Sequence, residues 1–305
     1  MKISTNFFFD RASQQLTRAQ NQVATTQAQM SSGKQLLRAS DAPDQAVAID
    51  RLRTAISRQE TLSDNLKTIY RRFEAEETAL NSATNVFERV KELSIQAAND
   101  TLGPKDREVI AIELQSLRDQ LQMLANTRDD QGQYIFSGSA SGTMPYSARE
   151  GLLAYQGDQT PTSLTTGQEN LQTFNRAGTD VFTRVVRHTQ DGPQGISYFQ
   201  AIDDLIVAVK TTDRANIQRG IAEMDDMHQS MAMATSDVGA RMNQVDMQVD
   251  LIAENVVRLK TTLSEVEDLD YTEAVTRMNK QMMALEASMS SFAKISQLNL
   301  FDYIR

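Results

Sequence analysis

The chain has no cysteine, no tryptophan and only two histidines among its 305 residues. Without cysteine there can be no disulfide, no thiolate metal site and no thiol nucleophile. Long hydrophobic runs are also missing. The longest, Leu205 to Val209, is far too short to cross a bilayer, so no membrane insertion is expected. The start, MKISTNFFFDRASQQ, lacks the apolar core and small-residue cleavage site of a secretory signal. Its Arg, Ser and Gln content could imitate an organelle transit peptide, but a discarded leader would not have the matching partner that this segment finds at the other end of the chain. Proline and glycine are sparse, at 5 and 13, and most of both fall between Gly132 and Gly195. Regular helix is expected on either side of that stretch.

The charge is -9 with a pI near 4.9, which counts against a phosphate-backbone ligand and so against nucleic acid. Its distribution says more. Residues 1–40 hold five basic and one acidic residue, and residues 271–305 hold four and three, so the ends carry +5 and the middle -14. A well-solvated middle and sparsely charged ends suggest that the ends pack against something.

What the chain does have is helical periodicity. Val238, Met242, Val245, Val249, Ile252, Val256, Leu259, Leu263 and Val266 alternate spacings of four and three, a heptad seam about four heptads long. The register breaks at Asp270. It resumes one residue out of phase as Tyr271, Val275, Met278, Met282, Leu285, Met289 and Phe292, which predicts helices over about 236–266 and 271–297. In the front half Leu62, Leu66, Ile69, Phe73, Glu76, Leu80, Ala83, Phe87 and Val90 keep the same rhythm, with Glu76 the one misfit. Ile110, Leu114, Leu117, Leu121 and Leu124 make a shorter stripe after Gly103-Pro104. A long helix is expected to start at SDAPDQ, with Asp41 or Ala42 as N-cap. Before it, Leu16, Ala19, Val23, Thr26 and Met30 form a weaker stripe that ends at Gly33 and needs a partner to stay folded.

The region from Tyr134 to Val186 reads as short extended pieces, YIF, LLAY, LQTF and VFTRVV, between turn signals such as SGSASG and QGD. The expected class is mainly α: a long antiparallel helical rod or coiled coil made by the N- and C-terminal halves, with a small β-rich insertion that could be cut out. The expected division is a terminal helical domain of 1–40 plus 271–305, a rod of 41–133 plus 196–270, and the insertion 134–195. Both termini then lie at one end of the rod.

Catalytic, metal and cofactor sites are not expected. His228 has Asp225 one turn away, but a helix-surface ion pair is the commoner outcome, and His188 lies in a segment of another type. SSGKQ imitates the end of a P-loop, yet Ala28 stands where the leading Gly belongs, Gln35 replaces Ser or Thr, and no strand precedes it. Asp203-Asp204 and Asp129-Asp130 are adjacent pairs whose side chains diverge, which suits a solvated surface better than acid–base chemistry. The methionines from Met278 to Met289 suit a packing face that repacks.

Three blocks carry a resemblance. SSGKQLLRASDAPDQAVAI, NVFERVKELSIQAANDT and the terminal ALEASMSSFAKISQLNLFDYIR resemble the flagellin family. Within it, DDQGQYIFSGSASGTMPY, LAYQGDQT and AGTDVF are similar to the hook–filament junction branch. The matching positions are Ser32, Gly33, Lys34 and Asp41, then Gly138, Tyr155, Gly157, Asp158 and Phe182, with Leu298 and Leu300 in the closing block. Gln35-Leu36 departs from the usual Arg-Ile, and Asp41 is followed by Ala where a second acid is common. The resemblance implies a structural, non-enzymatic subunit of the extracellular bacterial flagellum, exported without a cleaved signal through the flagellar type III channel. The implied partners are further copies in a ring, a second hook-associated junction protein on the hook side, flagellin or a cap distally, and an export chaperone. It also implies terminal segments that are disordered in the free monomer and pair only on assembly. The rivals are a short or minor flagellin of the filament itself and, from another class, a secreted coiled-coil tip or adhesin protein, for which LNLFDYIR would have no role.

Overall fold

Helix forms wherever the stripes run. The computed structural model describes residues 2–149, 152–165, 171–182, 184–189 and 192–303. Its elements are α1 (Lys2–Ser32), α2 (Pro43–Ala97), α3 (Pro104–Ala125), β1 (Tyr146–Arg149), β2 (Leu152–Tyr155), β3 (Ser163–Thr165), β4 (Leu171–Thr173), α4 (Gly178–Val181), β5 (Arg184–Thr189), β6 (Gly192–Ser197), α5 (Tyr198–Thr211), α6 (Arg214–Glu267) and α7 (Tyr271–Tyr303). The class is mainly α with a small strand-bearing middle, as expected from the sequence.

The punctuation is chemical. Gly33 ends α1 with φ +70, a conformation other residues adopt at a cost. Pro43 opens α2, where a missing N–H is harmless, and Asp41 turns its carboxylate back to accept from the Arg38 N–H at 3.1 Å instead of capping the helix. At the other end of α2, buried Arg107 donates to the Ala97 and Asn99 carbonyls at 2.5 and 3.0 Å. A cation thus meets the negative end of the helix. Asp270 accepts from the N–H groups of Thr272 and Glu273, so the register break marks a cap.

The chain divides into two units, Met1–Gln59 with Glu254–Arg305, and Glu60–Ala253. The second holds the main core. Leu66, Ile69, Phe73, Leu80, Ala83, Phe87 and Val90 of α2 are buried, and so are Val238, Val245 and Ile252 of α6. Further along the same seam Val256, Leu259, Leu263 and Val266, in the first unit, are half-buried, as are Met242 and Val249. Around α5, the Tyr146, Phe182 and Phe199 rings cluster with centroids 5.1 to 6.3 Å apart, only Phe182 and Phe199 stacking, and Tyr198 meets Phe87 edge-on at 5.6 Å.

Among the described residues the middle holds three antiparallel strand pairs, β1-β2, β3-β4 and β5-β6. It differs from the expected β insertion in three ways. Tyr134–Phe136 is a buried turn, not a strand: the Tyr134 N–H goes to Ser141 and the Ile135 N–H to Thr127, so no single neighbour offers a ladder. Val181 and Phe182 belong to the end of α4, and β5 begins only at Arg184. The last strand, Gly192–Ser197, runs past the expected boundary directly into α5. The middle is also stitched to the helices, since Tyr146 and Phe182 cover Phe199, and Arg187 bonds Asp204 and Glu223 at 2.5 and 2.6 Å. Cutting it out would uncover Phe199 and take Arg187 from Asp204 and Glu223.

The uneven cover along α6 predicts uneven costs. Val245→Asp puts a carboxylate where no water reaches and should lower stability by about 3 to 5 kcal/mol, as an unpaired buried charge does. Val256→Asp can turn toward solvent and should cost about half as much or less. Thermal unfolding of the two variants checks this. Equal losses would mean that the seam is covered evenly.

Candidate assembly surface and its clamps

The stripe of α1 is intermittent, and α7 covers it only thinly. Leu16, Ala19, Val23 and Met30 are half-buried, and among the described side chains of α1 only Thr26 is buried. Its hydroxyl donates to Gln281 Oε1 at 2.8 Å. Phe9 and Phe292 meet with centroids 4.9 Å apart, and the Tyr271 hydroxyl donates to the Met30 carbonyl at 3.0 Å. These three pairings fix an antiparallel register.

The face of α7 turned to α1 is Ala274, Met278, Gln281, Leu285, Ser288 and Phe292, with Ala274 alone buried among the described side chains. The stripe expected from the sequence divides here into a covered and an uncovered line. Met278, Leu285 and Phe292 lie on the covered face, whereas Val275, Met282 and Met289 are 43%, 51% and 51% exposed. These three are seven residues apart, so they form a second apolar line beside the first. Apolar residues at both positions looked like one stripe, when α1 covers only half of it. Leu298 and Leu300 have side chains outside the described residues.

The expected motif positions gather into two clamps. In the first, Gly33 to Gln35 run antiparallel to Glu267 to Leu269: the Gln35 N–H donates to the Glu267 carbonyl at 2.8 Å, and the Leu269 N–H to that of Gly33 at 3.0 Å. Lys34 and Arg53 both bond the Glu267 carboxylate, at 2.5 and 2.6 Å. Hydrogen bonds from Lys34 and Arg53 hold that carboxylate below its usual range. The lysine of SSGK is thus an internal counter-ion, and Ser32 turns its hydroxyl toward the Gln29 carbonyl at 3.1 Å. Glu267 and Asp270 were not singled out from the sequence, although the broken register at Asp270 pointed to them.

The second clamp joins the segment after α3 to the strand pairs. The Tyr155 hydroxyl sits among main-chain groups, 3.1 Å from the Phe136 carbonyl, 2.9 Å from that of Asp158 and 3.3 Å from the Gly178 N–H. Asp158 donates its N–H to the Ser137 carbonyl at 2.9 Å, while its carboxylate takes the Ser139 hydroxyl and the Thr160 N–H. Those hydrogen bonds, Ser139 first, lower the Asp158 pKa. Gly138 has φ +64, and a Cβ there would lie 1.8 Å from the Asp158 carbonyl oxygen. At Gly157 it would lie 2.4 Å from the Tyr155 hydroxyl. Phe182 packs on Phe136 at 5.3 Å.

Of the acids considered for chemistry, Asp129, Asp203, Asp204 and Asp225 are engaged in ion pairs. Asp129 pairs with Arg72 at 2.7 Å, Asp203 with Arg118 at 3.0 Å, Asp204 with Arg187, and Asp225 with Lys91. The misfit of the α2 stripe, Glu76, is 2% exposed and lies 3.3 Å from Arg176, which also pairs with Asp237. Burial pushes the Glu76 carboxyl up, against the pull of Arg176. Among the described residues no cluster of three or more metal-ligating side chains occurs.

Residues 3–141 match the model of the bacterial flagellin N-terminal helical region, and residues 221–304 that of the C-terminal helical region. The chain is 26% identical over 319 residues to flagellar hook-associated protein 3 of Escherichia coli K12, covering 99% of both chains. It is 25% identical over 322 residues to flagellar hook-associated protein 3 of Salmonella typhimurium, over the whole of each. Its fold is similar to the crystal structure of flagellar hook associated protein-3 from Legionella pneumophila, with a TM-score of 0.66 at 21% identity, over 72% of this chain and 98% of that one.

The second clamp makes a glycine comparison decisive. Gly132, with φ +77 and open space around it, should tolerate Ala at about 1 to 2 kcal/mol for the left-handed backbone alone. Gly138→Ala adds a collision with main chain and should cost clearly more, about 3 kcal/mol or above. Denaturant unfolding of both variants checks this, and equal costs would show that the loop carrying Asp158 can step aside.

Proposed function

Since the chain belongs to the bacterial flagellin family, we propose that it is a structural subunit of the bacterial flagellum that joins hook to filament by assembling through its terminal helices. The observation that carries this reading is the line Val275, Met282 and Met289, apolar, seven residues apart and left uncovered by α1. An exposed apolar line of this kind is a packing face in search of its cover. Neighbouring copies arranged in a ring would supply it. The junction, as distinct from the filament, is supported by the 26% and 25% identity to hook-associated protein 3 over 99% and 100% of the chain. The role is mechanical and involves no catalysis, as befits a flagellar structural family.

The finer reading places the protein outside the cell, exported without a cleaved signal and escorted by a chaperone. Its neighbours would be a second hook-associated junction protein on one side and flagellin or a cap on the other. Among the described residues no helix is long and apolar enough to cross a membrane. We take residues 1–40 and 271–305 to be the assembly segment, disordered in the free chain. Thr26 and Ala274 are its only buried side chains among those described, too little covered area to offset the ordering of two helices.

Labelled protein supplied to flagella tests the reading directly. The expected result is a band at the outer end of the hook, and a chain lacking 1–40 and 271–305 should leave no band. Label along the filament would make the protein a flagellin, and a band from the truncated chain would show that the ends are not what holds it.

A further inference from the structure

We propose that Met282, Met283 and Met289 form an oxidation site on α7, with hydrogen peroxide or another hydroperoxide as the oxidant, and that their oxidation stops the terminal helices from packing against a second copy of the chain. The effect on packing rests on the assembly reading above. With no cysteine in the chain, thioethers are its softest nucleophiles. The three sulfur-bearing side chains are 51%, 63% and 51% exposed, whereas Met224, Met227 and Met231 of α6 are completely buried and serve as an internal reference.

A sulfur lone pair attacks one peroxide oxygen and the O–O bond breaks. The departing hydroxide takes the proton left on the transferred oxygen and becomes water. Sulfur gains one oxygen and loses two electrons, and the peroxide is reduced by the same two. The product is a polar sulfoxide with a strong acceptor where an apolar group stood. Met282 and Met289 lie on the uncovered heptad line, whose third member Val275 offers no donor, so covering that line would take the sulfoxides out of water beside an apolar neighbour. Packing then loses both the apolar contact and the hydration of the new oxygen. Met123, Met144, Met233 and Met247 are exposed too, but none is on this line.

The test treats the purified full-length chain with hydrogen peroxide, maps each methionine by peptide mass, and measures incorporation into isolated hook-bearing flagella. Met282, Met283 and Met289 should carry oxygen while Met224, Met227 and Met231 remain thioethers. Incorporation should fall about tenfold or more. The full chain with Met282→Leu, Met283→Leu and Met289→Leu should be incorporated and should stay so after peroxide, and the untreated Met282→Gln/Met289→Gln chain should behave as oxidised protein. Undiminished incorporation of oxidised wild type would overturn the proposal, as would an equal loss in the leucine variant. If untreated wild type is not incorporated at all, the assembly reading is what fails. The mapping alone then decides the site, and buried methionines oxidised as fast as those of α7 would sink it.

Discussion

A carboxylate stands in the middle of the apolar stripe of α2, where desolvation is severe unless a cation comes to it. Glu76 obtains that cation from Arg176, which lies beyond the second strand pair and also holds Asp237 of α6. One arginine of the middle thus stands as counter-ion to a carboxylate on each of two long helices, although Glu76 Oε1 accepts no hydrogen bond. Arg72, one turn before Glu76, reaches out instead: it pairs with Asp129 and donates to the Tyr134 carbonyl at 3.0 Å. The strand-bearing middle is therefore electrostatically required by the helices around it. A purely apolar α2 would have no use for Arg176, and Arg176 without Glu76 would be a mostly buried charge with one partner fewer.

Much of this was legible in advance, for reasons that differ by element. The α6 seam stood out because nine positions kept one rhythm, and that rhythm survives in the burial pattern even where cover thins toward Val266. Lys34, Gly138 and Asp158 could be picked out only by family likeness, because hydrogen bonds to main chain leave no periodic trace. Contacts set by distant segments were out of reach. Nothing around Tyr134 signals that its N–H will find Ser141, and the Gly-Pro content of 192–197 reads as a breaker although the pairing partner of Val185 is Ile196. On α7, periodicity showed which residues were apolar and could not say which of two adjacent lines α1 would cover.

The clamps share a construction. Each fixes a left-handed glycine, Gly33 or Gly138, against a carboxylate-bearing segment distant in sequence, Glu267 or Asp158. At the first, Lys34 and Arg53 add side-chain bonds to a two-bond main-chain pairing. At the second a main-chain approach too close for any Cβ carries the bond. Both sit where a long helix hands over to something else, where a packed stripe gives no further guidance on direction.

The polar residues of the terminal helices have a last consequence. Thr17, Thr25, Thr276 and Ser288 each turn a hydroxyl back to the carbonyl four residues earlier, at 2.7 to 3.0 Å, so none needs water to satisfy its donor. Among the described residues no ion pair links α1 to α7, and the face α1 turns inward, Leu16 to Met30, bears no charge. Salt screens attraction between exposed charges, most of all beyond a Debye length of about 8 to 10 Å at ordinary ionic strength, yet it has little to screen here. Once assembly closes it, a joint made this way should depend little on ionic strength.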